Sequence, residues 1–345
     1  MKTSHLSTVA LFASLGMCQV RVPPEFKPGS NLKWQIEIQH TVDTSKPLTP
    51  SVTVWDIDLH HAARNPDVIP YLRSQSAGNI TVICYFNAGL VQTSDCDYSS
   101  TWDTPAYRGL LGRQWPEFPD ERWVNIKNGT SHELIKRRIA LANRIGCDAV
   151  DPDNIDGYGV DSDDELPENE KTGWNLVQED DIKFMRNLST YAHSLTTLRG
   201  YTMLIGQKNA PELASALLSY VDFAVLEDCK SLFDDKPENA FCSEFQPFIT
   251  GGNQKPVLSI EYPTSLENGK GTGNCQSTGA NDAQYKASCD MTKGNTGFTT
   301  VLKIKQGEGE LNGCTQYCDA GVSKGVVVTA TNSAKDGLAC PAGST

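Results

Sequence analysis

Three observations predict an α/β fold, a (β/α)8 TIM barrel with a short C-terminal appendage. Short β-branched or aromatic runs alternate with longer amphipathic stretches, the pattern of a parallel sheet covered by helices. Eight such runs can be counted, the number that closes a barrel. The chain has 345 residues and 39% hydrophobic residues, enough for one barrel domain of around 250 residues with flanking segments.

The expected strands, in order, are Trp34–Gln39, Val52–Leu59, Thr81–Phe86, Ala149–Asn154, Met203–Asn209, Phe223–Asp228, Val257–Tyr262 and Phe298–Leu302. Between them, Glu133–Ile145 repeats Leu134, Ile135, Ile139, Leu141, Ala142 and Ile145 close to helical period. Asp180–Leu195 opens on acidic residues and carries Ile182, Phe184, Met185, Leu188 and Tyr191 on one stripe. Pro211–Leu218 reads as a helix with proline in its first turn. Trp123–Ile126 is a ninth strand-like run, assigned to a long loop. The Gly/Asn/Ser/Thr-rich stretch 264–282 reads as an inserted loop that delays the last strand.

At the N-terminus Lys2 precedes the short apolar run Val9–Met17, so residues 1–18 read as a signal peptide. Residues 19–33 read as a linker, 34–314 as the barrel and 315–345 as an appendage tied down by Cys318 or Cys340. The apolar run is well short of the ~20 residues a membrane helix requires, and no later segment is long or apolar enough. Loss of Cys18 with the signal leaves an even set of cysteines, which suits an oxidising, extracellular compartment. Cys229 and Cys242 bracket one short loop and are the first expected pair. Cys84 and Cys147 lie beside apolar strands, where a buried thiol is as good a reading as a disulfide. Asn79, Asn128 and Asn187 open N-glycosylation sequons that agree with export.

The net charge of −12 argues against nucleic acid and anionic membrane as partners. It is compatible with a neutral or cationic substrate. No phosphate loop, zinc spacing or Ser/His/Asp order stands out, so neither cofactor nor metal is expected. The chain is expected to act as a monomer.

Barrel active sites lie at the C-terminal ends of the strands, and those ends carry this chain's acids. The second strand ends Trp55-Asp-Ile-Asp58, the fourth Asp151-Pro-Asp-Asn-Ile-Asp-Gly-Tyr158, the sixth Leu226-Glu-Asp-Cys229 and the seventh Ile260-Glu-Tyr262. Period-two geometry puts Asp151 and Asp153 on one strand face. Carboxylates that end an apolar run are costly unless they are solvated, paired or used. Glycoside hydrolysis uses two: one protonates the leaving oxygen, the other attacks or activates water.

The string Gly146-Cys-Asp-Ala-Val-Asp-Pro-Asp-Asn-Ile-Asp-Gly-Tyr158 resembles the signature of glycoside hydrolase family 114, the endo-α-1,4-polygalactosaminidases. Matches in the same order include Trp34-Gln35, Trp55-Asp-Ile-Asp-Leu59, Val82-Ile-Cys-Tyr-Phe-Asn-Ala-Gly89, Trp123-Val-Asn-Ile126, Gly206-Gln-Lys-Asn-Ala210, Phe223-Ala-Val-Leu-Glu-Asp-Cys229, Lys255-Pro-Val257 with Glu261-Tyr262, and Gly297-Phe-Thr-Thr-Val-Leu-Lys303. The resemblance spans roughly 34–314. It implies an endo-acting hydrolase of galactosamine or N-acetylgalactosamine polymer, with Asp153 and Glu227 as the catalytic pair. Glu227 would be the general acid/base and Asp153 the nucleophile. Divergent relatives read Asp-x-x-Asp-x-Tyr at this strand end, which aligns on Asp153, Asp156 and Tyr158 and leaves Asp151 in support. Asp58, Tyr85, Asn87, Lys208, Glu261 and Tyr262 sit at other strand ends as candidate substrate contacts. Lys208 is equally a candidate salt-bridge partner for a carboxylate. The neighbours of Glu227 differ from the family's Asn-Glu-Gln-Cys, and the acidic loop after Tyr158 and the 264–282 insert are longer, which bears on subsite number.

Three other readings are weighed. A chitinase-like motif laid over Asp148, Asp151 and Asp153 requires Glu at 155, where Ile155 stands. An EF-hand-like calcium loop from Asn154 to Glu165 has poor ligands at Asn154 and Tyr158 and lacks an entering helix. A non-catalytic, lectin-like barrel would use Trp115, Trp123 and Tyr158 as stacking platforms, but has no need of two apposed acids.

Overall fold

Apolar runs that end in acids form short parallel strands whose C-terminal ends gather at one mouth. The computed structural model describes residues 20–27, 32–48, 52–75, 80–232, 239–267, 282–305, 311–318 and 326–342. The expected signal peptide, Asn79 and most of the expected 264–282 insert lie outside the described residues. Numbered along the chain, the strands are β1 (Trp34–Glu37), β2 (Val54–Asp58), β3 (Thr81–Asn87), β4 (Leu90–Gln92), β5 (Leu111–Trp115), β6 (Phe118–Val124), β7 (Ala149–Asp153), β8 (Leu204–Lys208), β9 (Phe223–Glu227), β10 (Val257–Glu261), β11 (Thr299–Leu302), β12 (Cys314–Tyr317) and β13 (Val326–Val328).

The eight expected strands are β1, β2, β3, β7, β8, β9, β10 and β11. They pair in that order, all parallel, in one curled sheet that β12 and β13 extend antiparallel. Their residues are buried on both faces, as a parallel sheet between a filled interior and an outer helix layer requires. The curl closes through side chains and loop ends. Trp34 Nε1 donates to the Thr299 carbonyl at 2.9 Å, the Ile38 and Gln39 amides donate to Leu311 O, and Tyr317 OH donates to Gln35 Oε1 at 3.0 Å. This is a TIM-barrel-like fold.

The expected helices form over Gly129–Ile145 and Gln178–His193, and the Pro211–Leu218 stretch splits into a 3-10 turn and the short helix Ala214–Leu217. Asn128 caps the first through a hydrogen bond from the Thr130 amide, and Gly146 ends it at φ 105°, the left-handed terminus glycine favours. Trp123–Ile126 departs from its assignment to a loop. Trp123 and Val124 belong to β6, the middle strand of an antiparallel sheet ordered β4-β6-β5 between β3 and β7. The run reads as strand-like in sequence but lies outside the eight-strand count, because β6 pairs with β4 and β5 rather than with the barrel strands.

The stretch 19–33 is docked where it is described: Phe26 packs edge-on to Phe223 at 5.3 Å, and Thr81 Oγ1 donates to buried Glu25 at 2.9 Å. Residues 315–345 supply most of β12 and all of β13. Disulfides join Cys229 to Cys242, as expected, and Cys289 to Cys318 and Cys96 to Cys340, so both named cysteines tie the C-terminal segment down. Cys84 and Cys147 also pair, because β3 and β7 are adjacent and Cys147, two residues before β7, lies beside Cys84. Among the described residues no helix is long and apolar enough to cross a membrane. Asn128 is exposed. Asn187 is half-buried in mid-helix, where Ser189 of its sequon is buried and bonded to the Tyr220 carbonyl.

Candidate active site

A cleft of about 560 Å³ opens at the C-terminal ends of the parallel strands and is lined by Asp58, Tyr85, Asn87, Asp153, Asp156, Lys208 and Glu227, with the hairpin residues Trp115, Phe118, Glu121 and Trp123 on one side. Directly after three of the strand ends the chain adopts positive φ: Asn154 at 57°, Asn209 at 41° and Asp228 at 52°. Asn and Asp tolerate this region better than other side-chain-bearing residues. The sharp turns leave Asp153, Lys208 and Glu227 as the last strand residues. Gly89 answers a second constraint. A Cβ there would lie 1.7 Å from the Asn154 carbonyl oxygen, so only glycine lets the β3–β4 link pass over the end of β7.

Lys208 organises the centre. Its Nζ donates to Asp153 Oδ2 at 2.9 Å and to Glu227 Oε2 at 3.0 Å, and it lies 5.9 Å from the centre of the Tyr85 ring. Burial works against its charge, but Asp153, Glu227 and Asp151 outweigh that and hold its pKa well above the usual lysine value. Asp153 also accepts from Tyr85 OH at 2.9 Å and from the Asn154 amide at 2.8 Å. Glu227 Oε1 accepts from Tyr262 OH, and the Glu227 amide donates to Asn209 Oδ1 at 2.8 Å. Asp153 is therefore fixed by three donors, while Glu227, with two, is the more exposed side chain (26% against 16%).

A second carboxyl pair lies deeper. Asp56 and Asp151, both fully buried, face each other, and apart from one another their oxygens have no donor among the described residues. Burial first, then mutual repulsion, pushes Asp56 well above the usual carboxylate range; burial above all raises Asp151 to about 7. Asp156 is raised to about 6 by burial and then by Asp153.

Most of the expected residues meet at this mouth. Asp58 lines it, but its Oδ1 also caps the helix Leu59–Arg64 by accepting the His61 amide. Tyr262 acts on Glu227 rather than lining the open cleft. Two candidates are turned away. Tyr158 OH donates to Glu212 Oε2 at 2.8 Å, and neither residue lines the cleft. Glu261 is buried beside Lys230 and the Cys229–Cys242 disulfide, where burial raises it to about 8. The calcium-like loop does not converge either: Asp161 accepts from Thr172 and Leu176, and Glu165 is exposed. A third acidic cluster, His60 with Asp95 and Asp97, is filled by the buried Arg138 guanidinium, 2.7 Å from both aspartates.

Sequence reasoning missed Asp56, which sits two residues before Asp58 in the same motif, Glu121 and Phe118 on β6, and Gln92 on β4. The alternation of Glu121 with Trp123 was the available signal.

The profile of glycoside-hydrolase family GH114 matches residues 18–323. The chain belongs to that family. It is thus a glycoside hydrolase, and its substrate class is polysaccharide. Among solved structures it is similar to Aspergillus fumigatus Ega3 in complex with galactosamine, at 29% identity and TM-score 0.63, over 83% of this chain and 95% of that one. It also shares its fold with the glycoside hydrolase domain of PelA from Pseudomonas aeruginosa, at 11% identity and TM-score 0.50, over 81% and 95% of the two chains. A search of curated proteins by sequence gave no match. Within this GH114 hydrolase, the centre bridged by Lys208 is where two carboxyls and a cation meet in an open polar cleft.

Proposed function

We propose that this protein is a secreted endo-acting hydrolase of α-1,4-linked galactosamine or N-acetylgalactosamine polymer that works with retention of configuration. The observation that carries the reading is the Lys208 bridge. Because Nζ lies 2.9 Å from one carboxyl oxygen and 3.0 Å from the other, those oxygens cannot be farther apart than the sum of the two. That short bridge is compatible with the ~5–5.5 Å spacing of retaining enzymes and supports it over the ~6.5–9.5 Å spacing in which a water is activated. Galactosamine bound to the similar Ega3 supports the choice of sugar.

In this mechanism Asp153, held in place by Tyr85, Lys208 and the Asn154 amide, attacks the anomeric carbon. Glu227 delivers a proton to the leaving oxygen. It then takes a proton from the water that cleaves the glycosyl-enzyme ester, so one residue serves as acid and then base. Lys208 stays between the two carboxyls and offsets their charge throughout. The disulfides and the N-terminal apolar run support an extracellular site of action.

The test is incubation of the protein with acetylated and deacetylated α-1,4-galactosaminan, with products sized and their fresh anomers followed by NMR. Internal cuts with first-formed α-anomers are expected. First-formed β-anomers would overturn retention, and polymer that is bound but never shortened would make the protein a binding barrel instead.

A further inference from the structure

Besides the central pair, Asp58, Asp95 and Asp156 line the cleft, and so does Glu121 beside its aromatic side. Glu121, on β6, is only 5% exposed yet lines the open cleft. Its Oε1 accepts from Asn87 Nδ2 at 3.2 Å and from Gln92 Nε2, while its Oε2 has no protein donor among the described residues. The Asn87 amide is oriented by its other end, where Oδ1 accepts from Tyr85 OH at 2.9 Å. Since Tyr85 OH also reaches Asp153, Glu121 stands two bridging residues from the proposed nucleophile.

Beside it is an aromatic wall. Trp115 lies 4.9 Å from Phe118 and 5.6 Å from Trp123, centroid to centroid, and all three line the cleft. Apolar sugar faces pack on such rings while polar substituents project past their edges. Desolvation of Glu121 is costly unless its free oxygen meets a donor. Burial first, then Asp120, Asp153 and Asp95, raise it to about 7 against the opposing bond from Gln92. An arriving cation would favour its charged form.

We propose that Glu121 and the Trp115–Phe118–Trp123 wall form a subsite next to the cleavage point that selects a hexosamine whose amine is free and protonated. This rests on the reading above that the cleft holds a galactosamine polymer, and adds which residue tells the amine from the acetamide. The ring stacks on the wall, and the ammonium donates to Glu121 Oε2. An N-acetyl group keeps one N–H but brings no charge, and its methyl and carbonyl must fit against a carboxyl.

The experiment titrates trisaccharides of galactosamine and of N-acetylgalactosamine into the Glu227→Gln protein, with and without Glu121→Gln, following tryptophan fluorescence. Glu121→Gln should weaken the amine ligand about tenfold, or 1.4 kcal/mol, and the acetylated ligand less than twofold. Glu121→Asp, which keeps the charge, should recover part of the loss. Equal losses for both ligands would overturn the proposal and make Glu121 a positioning residue acting through Asn87 and Tyr85. No loss for either, or no binding of the amine ligand at all, would also overturn it. Cleavage by the otherwise unaltered protein is read separately, so selectivity without cleavage sinks the hydrolase reading alone, and cleavage without selectivity sinks this one alone.

Discussion

Asp153 and Asp151 come from the same strand, two residues apart and facing the same way, yet they live in opposite environments. The outer one belongs to a pair, Asp153 and Glu227, that Lys208 bridges and that Tyr85, Tyr262 and a backbone amide supplement. The inner one faces Asp56, and apart from each other neither carboxyl has a donor among the described residues. Residue type and face are identical, so depth in the barrel and the reach of one lysine decide the difference. At the mouth a pair of acids can be charged, oriented and used. One layer down, two acids can share the space only by retaining a proton.

The largest effect that can break this comparison is on turnover. Asp153→Asn and Glu227→Gln preserve shape but remove the proposed nucleophile or the proposed proton donor, so each should lower cleavage of the proposed galactosaminan substrate by about 10³-fold or more. Folding and much of the polymer binding should survive. A variant of either residue that retained wild-type rates, measured as reducing ends released, would move the chemistry elsewhere. Asp151→Asn should cost far less activity, because Asp151 lies outside the open cleft.

Next in size is Lys208→Met, which leaves the outer pair without its cation. Removing one partner from a buried charge cluster costs on the order of 3–5 kcal/mol, and the low end is expected here because Glu227 is partly open to water. Urea denaturation reads this as a lower midpoint at unchanged m-value. A variant as stable as the wild type would mean that Lys208 is not what makes the outer pair tolerable.

The inner pair makes the third prediction, on pH. The Asp151 carboxyl is raised to about 7 by burial first, and burial also raises Asp56 well above the usual range, against about 3.9 for an unfolded aspartate. A raised folded pKa means that the native state holds more protons than the unfolded chain. The resulting stability is full below about pH 4 and is lost as pH rises through about 7. Asp181 and Glu261, each raised to about 8 chiefly by burial, act in the same direction, so the informative quantity is the difference between proteins. Asp151→Asn should lose less stability than the wild type between pH 5 and 8. Identical slopes would mean that the inner pair does not carry the proton.

The sequence made the barrel legible because each strand is a short apolar run closed by a polar strand end, a local pattern that needs no knowledge of partners. Asp153, Glu227 and Lys208 end their strands and Tyr85 lies two residues before the end of its own, so their place at the mouth was legible in the same way. The choice of Asp153 and Glu227 as the pair came instead from the family resemblance. Much of what was hidden depends on contacts between distant segments. Glu261 was expected to join the substrate contacts, but Lys230 and the Cys229–Cys242 disulfide occupy its surroundings. Tyr158 was expected in the cleft, but Glu212, more than fifty residues on, takes its hydroxyl. The hairpin carrying Glu121 was read as a loop because its strands pair with each other rather than with the barrel. Asp56 was passed over for Asp58, since no local signal says which of two aspartates in Asp-Ile-Asp points at a distant acid.

Asp58 gives the smallest effect and tests the edge of the comparison, because it stands on β2 two residues after Asp56, as Asp153 stands after Asp151. By position it belongs to the outer layer; by contact it is a helix cap, with Oδ1 accepting the His61 amide. Asn caps as well as Asp, whereas Ala leaves the amide unpaired and costs about 1 kcal/mol. Asp58→Asn should therefore match wild-type stability, and Asp58→Ala should fall below it by that amount in urea denaturation. If the carboxylate also touches sugar, both variants should raise KM alike while kcat holds. If only Asp58→Ala changes KM, Asp58 acts through the helix it caps. A fall in kcat comparable to that of Asp153→Asn would place Asp58 in the outer chemistry, and would show that depth alone does not sort these acids.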